Sequence, residues 1–136
     1  MFAKLFLDTN VLLYSVSLSP LEAVKKRRAI ELLRTADFAI STQVLQEYIA
    51  NVGKNSASLG EENINAMLDL IRFIEVLPVT RELIIQGLDI RRRFKISQWD
   101  ATIVAAALEL GCETLYTEDL NHGQDYGGVR AINPFL

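Results

Sequence analysis

Four carboxylates, Asp8, Glu47, Asp100 and Asp119, are the residues of this sequence best suited to do chemistry together. Unpaired carboxylates gathered at one place repel each other, and the repulsion raises the pKa of some of them. Divalent cations relieve that repulsion, and an all-oxygen donor set suits Mg2+ or Mn2+. One or two such ions can activate water, orient a phosphodiester and stabilise the leaving oxygen of an in-line displacement. No nucleophilic side chain is required, and no histidine–serine or histidine–cysteine pair is in view.

For the four acids to meet, the chain must deliver them to a common edge. The apolar run Lys4-Leu5-Phe6-Leu7 stops at Asp8, and a second apolar run begins at Val11. This pattern reads as a buried strand, a turn and a short helix over residues 11–16, with Asp8, Thr9 or Asn10 as its cap. Ser19-Pro20 opens a second helix carrying Leu21, Val24, Ile30, Leu32 and Leu33. Phe38-Ala39-Ile40 is a second strand. Ser41 or Thr42 caps the next helix, whose stripe is Val44, Leu45, Tyr48, Ile49 and Val52. Glu47 falls at the border of that stripe.

Residues 53–60 are polar and small and read as a loop. A helix over 61–73 points Ile64, Met67, Leu68 and Ile71 inward, and a short strand covers 75–79. Thr80 caps a helix with Leu83, Ile84, Gly87, Leu88 and Ile90. Ser97 and Asp100 have the form of a capping box before an apolar segment, 101–110, expected to be buried on nearly all sides. Gly111 ends it. A strand over 113–116 leads to Thr117-Glu118-Asp119, then comes a glycine-rich loop and a last strand over 129–132.

Strands alternating with helices indicate an α/β fold with a mostly parallel sheet. In such a sheet the strand carboxyl ends and the following helix N-termini share an edge, where ligands bind. Asp8 and Asp119 follow strands, and Asp100 and Glu47 lie near helix starts, so all four can converge. Each acid also has a plainer reading. Asp8 can be only a helix cap, Asp100 only half of a capping box, Glu47 a surface glutamate and Asp119 a turn residue.

Composition narrows the field. The 136 residues, half of them hydrophobic, suffice for one domain spanning 1–136, with no repeats or linkers. No apolar run reaches the roughly 18 residues that span a bilayer, and Asp8 interrupts the N-terminus too early for a secretory signal. One cysteine, Cys112, allows no internal disulfide, so a reducing, cytoplasmic setting is expected. One histidine, His122, excludes a Cys/His zinc cage. The net charge of −3 argues against binding nucleic acid by charge alone, although cations held by the acids would supply what the chain lacks. Two basic runs, Lys25 to Arg28 and Arg91 to Lys95, read as solvated helix faces, the second complementing a helix dipole. Both are also places to look for RNA backbone or acidic-partner contacts.

The motifs Phe6-Leu7-Asp8-Thr9-Asn10, Gln46-Glu47, Trp99-Asp100-Ala101 and Thr117-Glu118-Asp119-Leu120, in this order, resemble the PIN domain. Within it, the chain is similar to the VapC-type ribonuclease toxins of toxin–antitoxin modules. The resemblance covers essentially the whole chain, and Gly127-Gly128-Val129-Arg130 with Asn133-Pro134-Phe135 resembles one branch. It implies a three-layer α/β/α sandwich, with Asp8, Glu47, Asp100 and Asp119 binding Mg2+ or Mn2+ and Asn10 and Thr117 supporting them. It implies hydrolysis of RNA by an activated water, homodimers, and silencing by a cognate antitoxin. Adjacent Glu118 and Asp119 compete for one inward position, and the family pattern favours Asp119.

Two other classes of function compete with this one. A non-catalytic PIN-like module that binds RNA or protein would keep the fold without turnover. An aspartyl phosphotransferase using Asp8 as nucleophile would want a second aspartate where Asn10 stands, and a receiver would want a lysine near Thr117-Glu118-Asp119.

Overall fold

The computed structural model describes residues 5–54 and 56–136. The sheet has five parallel strands in the order β3-β2-β1-β4-β5. They are β1 (Leu5–Leu7), β2 (Phe38–Ser41), β3 (Glu75–Leu77), β4 (Thr114–Tyr116) and β5 (Arg130–Ile132). Lys4, which opens the apolar run, lies outside the described residues. The chain builds outward from β1 to β3, then crosses back to place β4 on the other side of β1. That reversal makes a crevice at the carboxyl ends of β1 and β4, the place where open α/β sheets bind ligands.

Helices α1 (Thr9–Tyr14), α2 (Ala23–Thr35), α3 (Thr42–Asn51) and α4 (Ala57–Leu70) lie within the first two crossovers. Helices α5 (Arg81–Phe94) and α6 (Gln98–Glu109) make the return crossover. Right-handed crossovers running in opposite directions put the two groups on opposite faces of the sheet. The result is the three-layer α/β/α sandwich. Helix α1 packs on α2 and α3, while α6 packs on α5 and lies against β2 and β4. From Ala101 to Ala107 every residue of α6 is buried, all apolar but Thr102, whose hydroxyl donates to the Gln98 carbonyl at 2.9 Å.

Local signals act where the side chains can reach. Ser41, Ser56, Thr80 and Ser97 each accept a hydrogen bond from a backbone N–H in the first turn of the helix that follows. Strand β3 stops at Leu77, short of the expected 79, because Pro78 has no N–H to give the ladder. Pro20 starts a 3-10 turn, Pro20–Glu22, that leads into α2.

Two further expectations need correction. Part of the stretch read as a loop, from Ala57 on, is the first turn of α4, while Asn55 lies outside the described residues. Gly60 sits within that helix because a Cβ there would stand 2.5 Å from the Gly53 Cα, a close approach only glycine permits. Several residues of the apolar stripes are also exposed, namely Leu21, Val24, Ile49, Leu68 and Ile84. Periodicity marks an apolar face without saying how much of it a neighbour covers. No helix among the described residues is long and apolar enough to cross a membrane.

Candidate active site

Asp8 follows β1 directly, and its extended backbone makes it the N-cap of α1. Its Oδ1 accepts from the Thr9 N–H at 2.7 Å, and its Oδ2 accepts from the Thr117 hydroxyl at 2.7 Å. One oxygen thus caps α1, and the other is bound across the fold by Thr117. The carboxyl is 6% exposed. Burial pushes its pKa up to about 7. The bonds from Thr117 and Thr9 oppose that rise, and the charges of Asp119 and Asp100 add to it.

Asp100 stands in the first turn of α6, its N–H bonded to Ser97 Oγ at 3.0 Å. Burial raises its pKa, the hydrogen bond with Ser97 lowers it, and Asp119 and Glu47 raise it further. Asp119 follows β4 and is the exposed member. Its N–H donates to Thr117 Oγ1 at 3.1 Å, and its Oδ2 accepts from Asn10 Nδ2 at 3.1 Å. One oxygen each from Asp8, Asp100 and Asp119 lies within 4.8 Å of the others.

Glu47 stands beside this trio rather than in it. Its Oε1 accepts from Gln43 Nε2 at 2.9 Å and its Oε2 from the Thr9 hydroxyl at 3.4 Å. Its charge still reaches Asp100. Thr117 is buried and binds both flanking acids, since its hydroxyl donates to Asp8 and accepts from the Asp119 N–H. Asn10 Oδ1 is buried and has no hydrogen-bond partner among the described residues, while its Nδ2 is directed at Asp119 and Thr117. The three converging carboxylates offer a donor set of hard oxygens. That is the chemistry a Mg2+ or Mn2+ site requires.

Glu118 turns the other way. Its carboxylate takes a 3.0 Å ion pair with Lys25 and a hydrogen bond from the Tyr14 hydroxyl. Both acids lie in the bend beyond β4, and their partners separate them: Asp119 joins Asp8 and Asp100, while Glu118 is held by Lys25 and Tyr14.

Three contributors were missed in the sequence: Thr9, Gln43 and Lys25. Gln43 left a usable signal, standing four residues before Glu47 on one helix face. Lys25 left none, because its partner is 93 residues away.

A sequence model of the PIN domain matches residues 5–124, most of the chain. The chain belongs to the PIN domain family. No curated protein sequence is matched by the chain. Among solved structures, this PIN domain is similar to VapC20 of Mycobacterium tuberculosis, described as a sarcin–ricin loop cleaving toxin. The two share 20% identity with a TM-score of 0.69, over 85% of this chain and 89% of that one. A chain of FitAB bound to an IR36 DNA fragment is 25% identical, with a TM-score of 0.69, over 97% of this chain and 96% of that one. A chain of DNA-bound VapBC from Salmonella typhimurium is 23% identical, with a TM-score of 0.66, over 95% and 96%.

Proposed function

We propose that this PIN domain is an endoribonuclease dependent on Mg2+ or Mn2+, and the toxin of a toxin–antitoxin pair. The observation that carries the reading is the convergence of Asp8, Asp100 and Asp119 oxygens within 4.8 Å at the crevice between β1 and β4. Asp8, Asp100 and Asp119 would hold the cation, with Glu47 completing the acidic set from α3. When bound, it would supply the means to activate a water and to neutralise charge on the phosphodiester.

The chain's own residues do the rest. The Thr9 amide and Thr117 hydroxyl stop the Asp8 carboxylate from rotating, so it is held ready rather than recruited. Asn10 steadies the exposed Asp119, whose peptide is pinned to Thr117. Asp8, with its raised pKa, gives up a proton as the site is loaded. Gln43 keeps Glu47 aimed along the rim of the trio.

The same reading takes residues 1–136 as one PIN-like unit that acts in the cytoplasm on RNA, pairs with a second copy and is silenced by an antitoxin. Solved relatives in complexes named VapBC and FitAB support the antitoxin partner. The test is RNA cleavage with and without added manganese, comparing wild type with Asp8→Asn. The variant is expected to stay folded by circular dichroism and to lose cleavage. Undiminished cleavage by Asp8→Asn, or full activity in excess EDTA, would sink the proposal.

A further inference from the structure

Beside the acids runs an open groove of about 780 Å³ between α3, α5 and α6. It is continuous with the site, since Glu47 lines it and Trp99, another lining residue, immediately precedes Asp100 in the chain. The Trp99 indole is 73% exposed, an unusual position for the largest apolar side chain. The helix does not need it there, because α6 is buried over Ala101 to Ala107.

Two lining amides are fixed as walls. Gln43 Nε2 bridges Glu47 and the Trp99 carbonyl, at 2.9 and 3.1 Å, and Gln98 Nε2 reaches the Ile84 carbonyl at 3.3 Å. Two others keep hydrogen-bonding capacity. Asn51 spends only its Nδ2, on the Glu47 carbonyl, and the Gln46 side chain has no hydrogen bond among the described residues. Among the described residues no lysine or arginine lines the groove, so it is not built for a phosphate. An aromatic face, apolar contact from Ile84 and Val79, and free amide groups suit an uncharged, flat, hydrogen-bonding group.

We propose that this groove is a nucleobase subsite, in which Trp99 stacks a base of single-stranded RNA next to the phosphodiester held at the acids. Gln46 and Asn51 are placed to meet the edge of that base. The inference rests on the ribonuclease reading for the identity of the ligand, and it can be tested apart from catalysis. A duplex keeps its bases stacked on each other, so the subsite selects unpaired substrate.

Trp99 is the one tryptophan in the chain, so intrinsic fluorescence reports on this position alone. The probes are single-stranded homo-oligonucleotides of each base with a methylphosphonate backbone, titrated in EDTA. Their uncharged backbone is not repelled by the acids and is not hydrolysed. Saturable quenching of Trp99 by at least one of them is expected. Anisotropy of end-labelled probe should show affinity falling about tenfold in Trp99→Ala and largely kept in Trp99→Phe. With cleavable RNA, Trp99→Ala should raise KM and leave kcat nearly unchanged.

If no oligomer quenches Trp99 and Trp99→Ala binds as wild type does, the subsite is overturned, while manganese-dependent cleavage would leave the nuclease reading standing. Quenching without any cleavage would overturn the nuclease reading and keep the base site. A blue shift that depends on protein concentration without RNA, with an oligomeric state broken by Trp99→Ala, would overturn the subsite by assigning the groove to a second copy of the chain.

Discussion

The Thr9 amide and the Thr117 hydroxyl favour the ionised Asp8 carboxylate, while burial and the charges of Asp119 and Asp100 oppose it. Opposition wins, and the group titrates near 7 instead of 3.8. Between those two values the folded chain holds a proton that the unfolded chain has released. Stability contributed by this group is thus fully present below pH 3.8 and is lost as pH rises through about 7. The loss at full ionisation is at most about 4 kcal/mol. Thermal melts in EDTA should therefore show wild type losing stability from pH 5 to 7.5 and Asp8→Asn losing less. At pH 7.5 the variant should melt higher than wild type although it no longer cleaves RNA. A lower melting temperature for Asp8→Asn at pH 7.5 would show that the carboxylate is not strained there. Divalent cations should reverse the trend, because they bind the ionised form.

At the scale of elements, two glycines set how closely helices approach their neighbours. A Cβ on Gly87 would meet Thr102 Oγ1 at 2.9 Å and Thr102 Cα at 3.3 Å, so α5 lies against α6, the helix that carries Asp100. Gly60 plays the same part where α4 meets Gly53, whose Cα would stand 2.5 Å from the added Cβ. The obstacle there is backbone, which cannot swing aside as a side chain can. Gly60→Ala should lower stability by about 1–3 kcal/mol in urea unfolding, despite alanine's better helix propensity. A stabilised variant would mean that the Gly53–Gly60 contact is loose. The site should be spared, since Gly60 belongs to none of its supports.

On the scale of the molecule, the order β3-β2-β1-β4-β5 brings together parts of the chain that are far apart in sequence. The loop after β4 is tied across the fold by Lys25, which pairs with Glu118 and lies over the rings of Tyr14 and Phe135. Arg28 binds the Pro134 carbonyl, and the His122 ring accepts from the Asn133 N–H, so the C-terminal tail is held from both sides. The first basic run is thus partly structural, while Arg91, Arg92 and Arg93 remain exposed at the α5 C-terminus. Lys25→Met should destabilise by about 1 kcal/mol, and less in high salt, because the Lys25 side chain is 40% exposed. A double-mutant cycle with Glu118→Gln in urea checks this, and zero coupling energy would remove the proposed tie.

By itself the sequence determined whatever depends on neighbours a few residues away. The apolar run halting at Asp8, the caps at Ser41, Thr80 and Ser97, and the densely apolar span of α6 are all local. The alternation of strands and helices allowed Asp8, Glu47, Asp100 and Asp119 to share one edge. Tertiary structure decided what happens at that edge. It put three oxygens within 4.8 Å, set Glu47 beside them under the hold of Gln43, and turned Glu118 away toward Lys25. It also made Gly60 part of a helix and left Trp99 in the open. Periodicity records which face of an element is apolar. Which residue meets that face, and at what distance, depends on partners supplied from elsewhere in the chain.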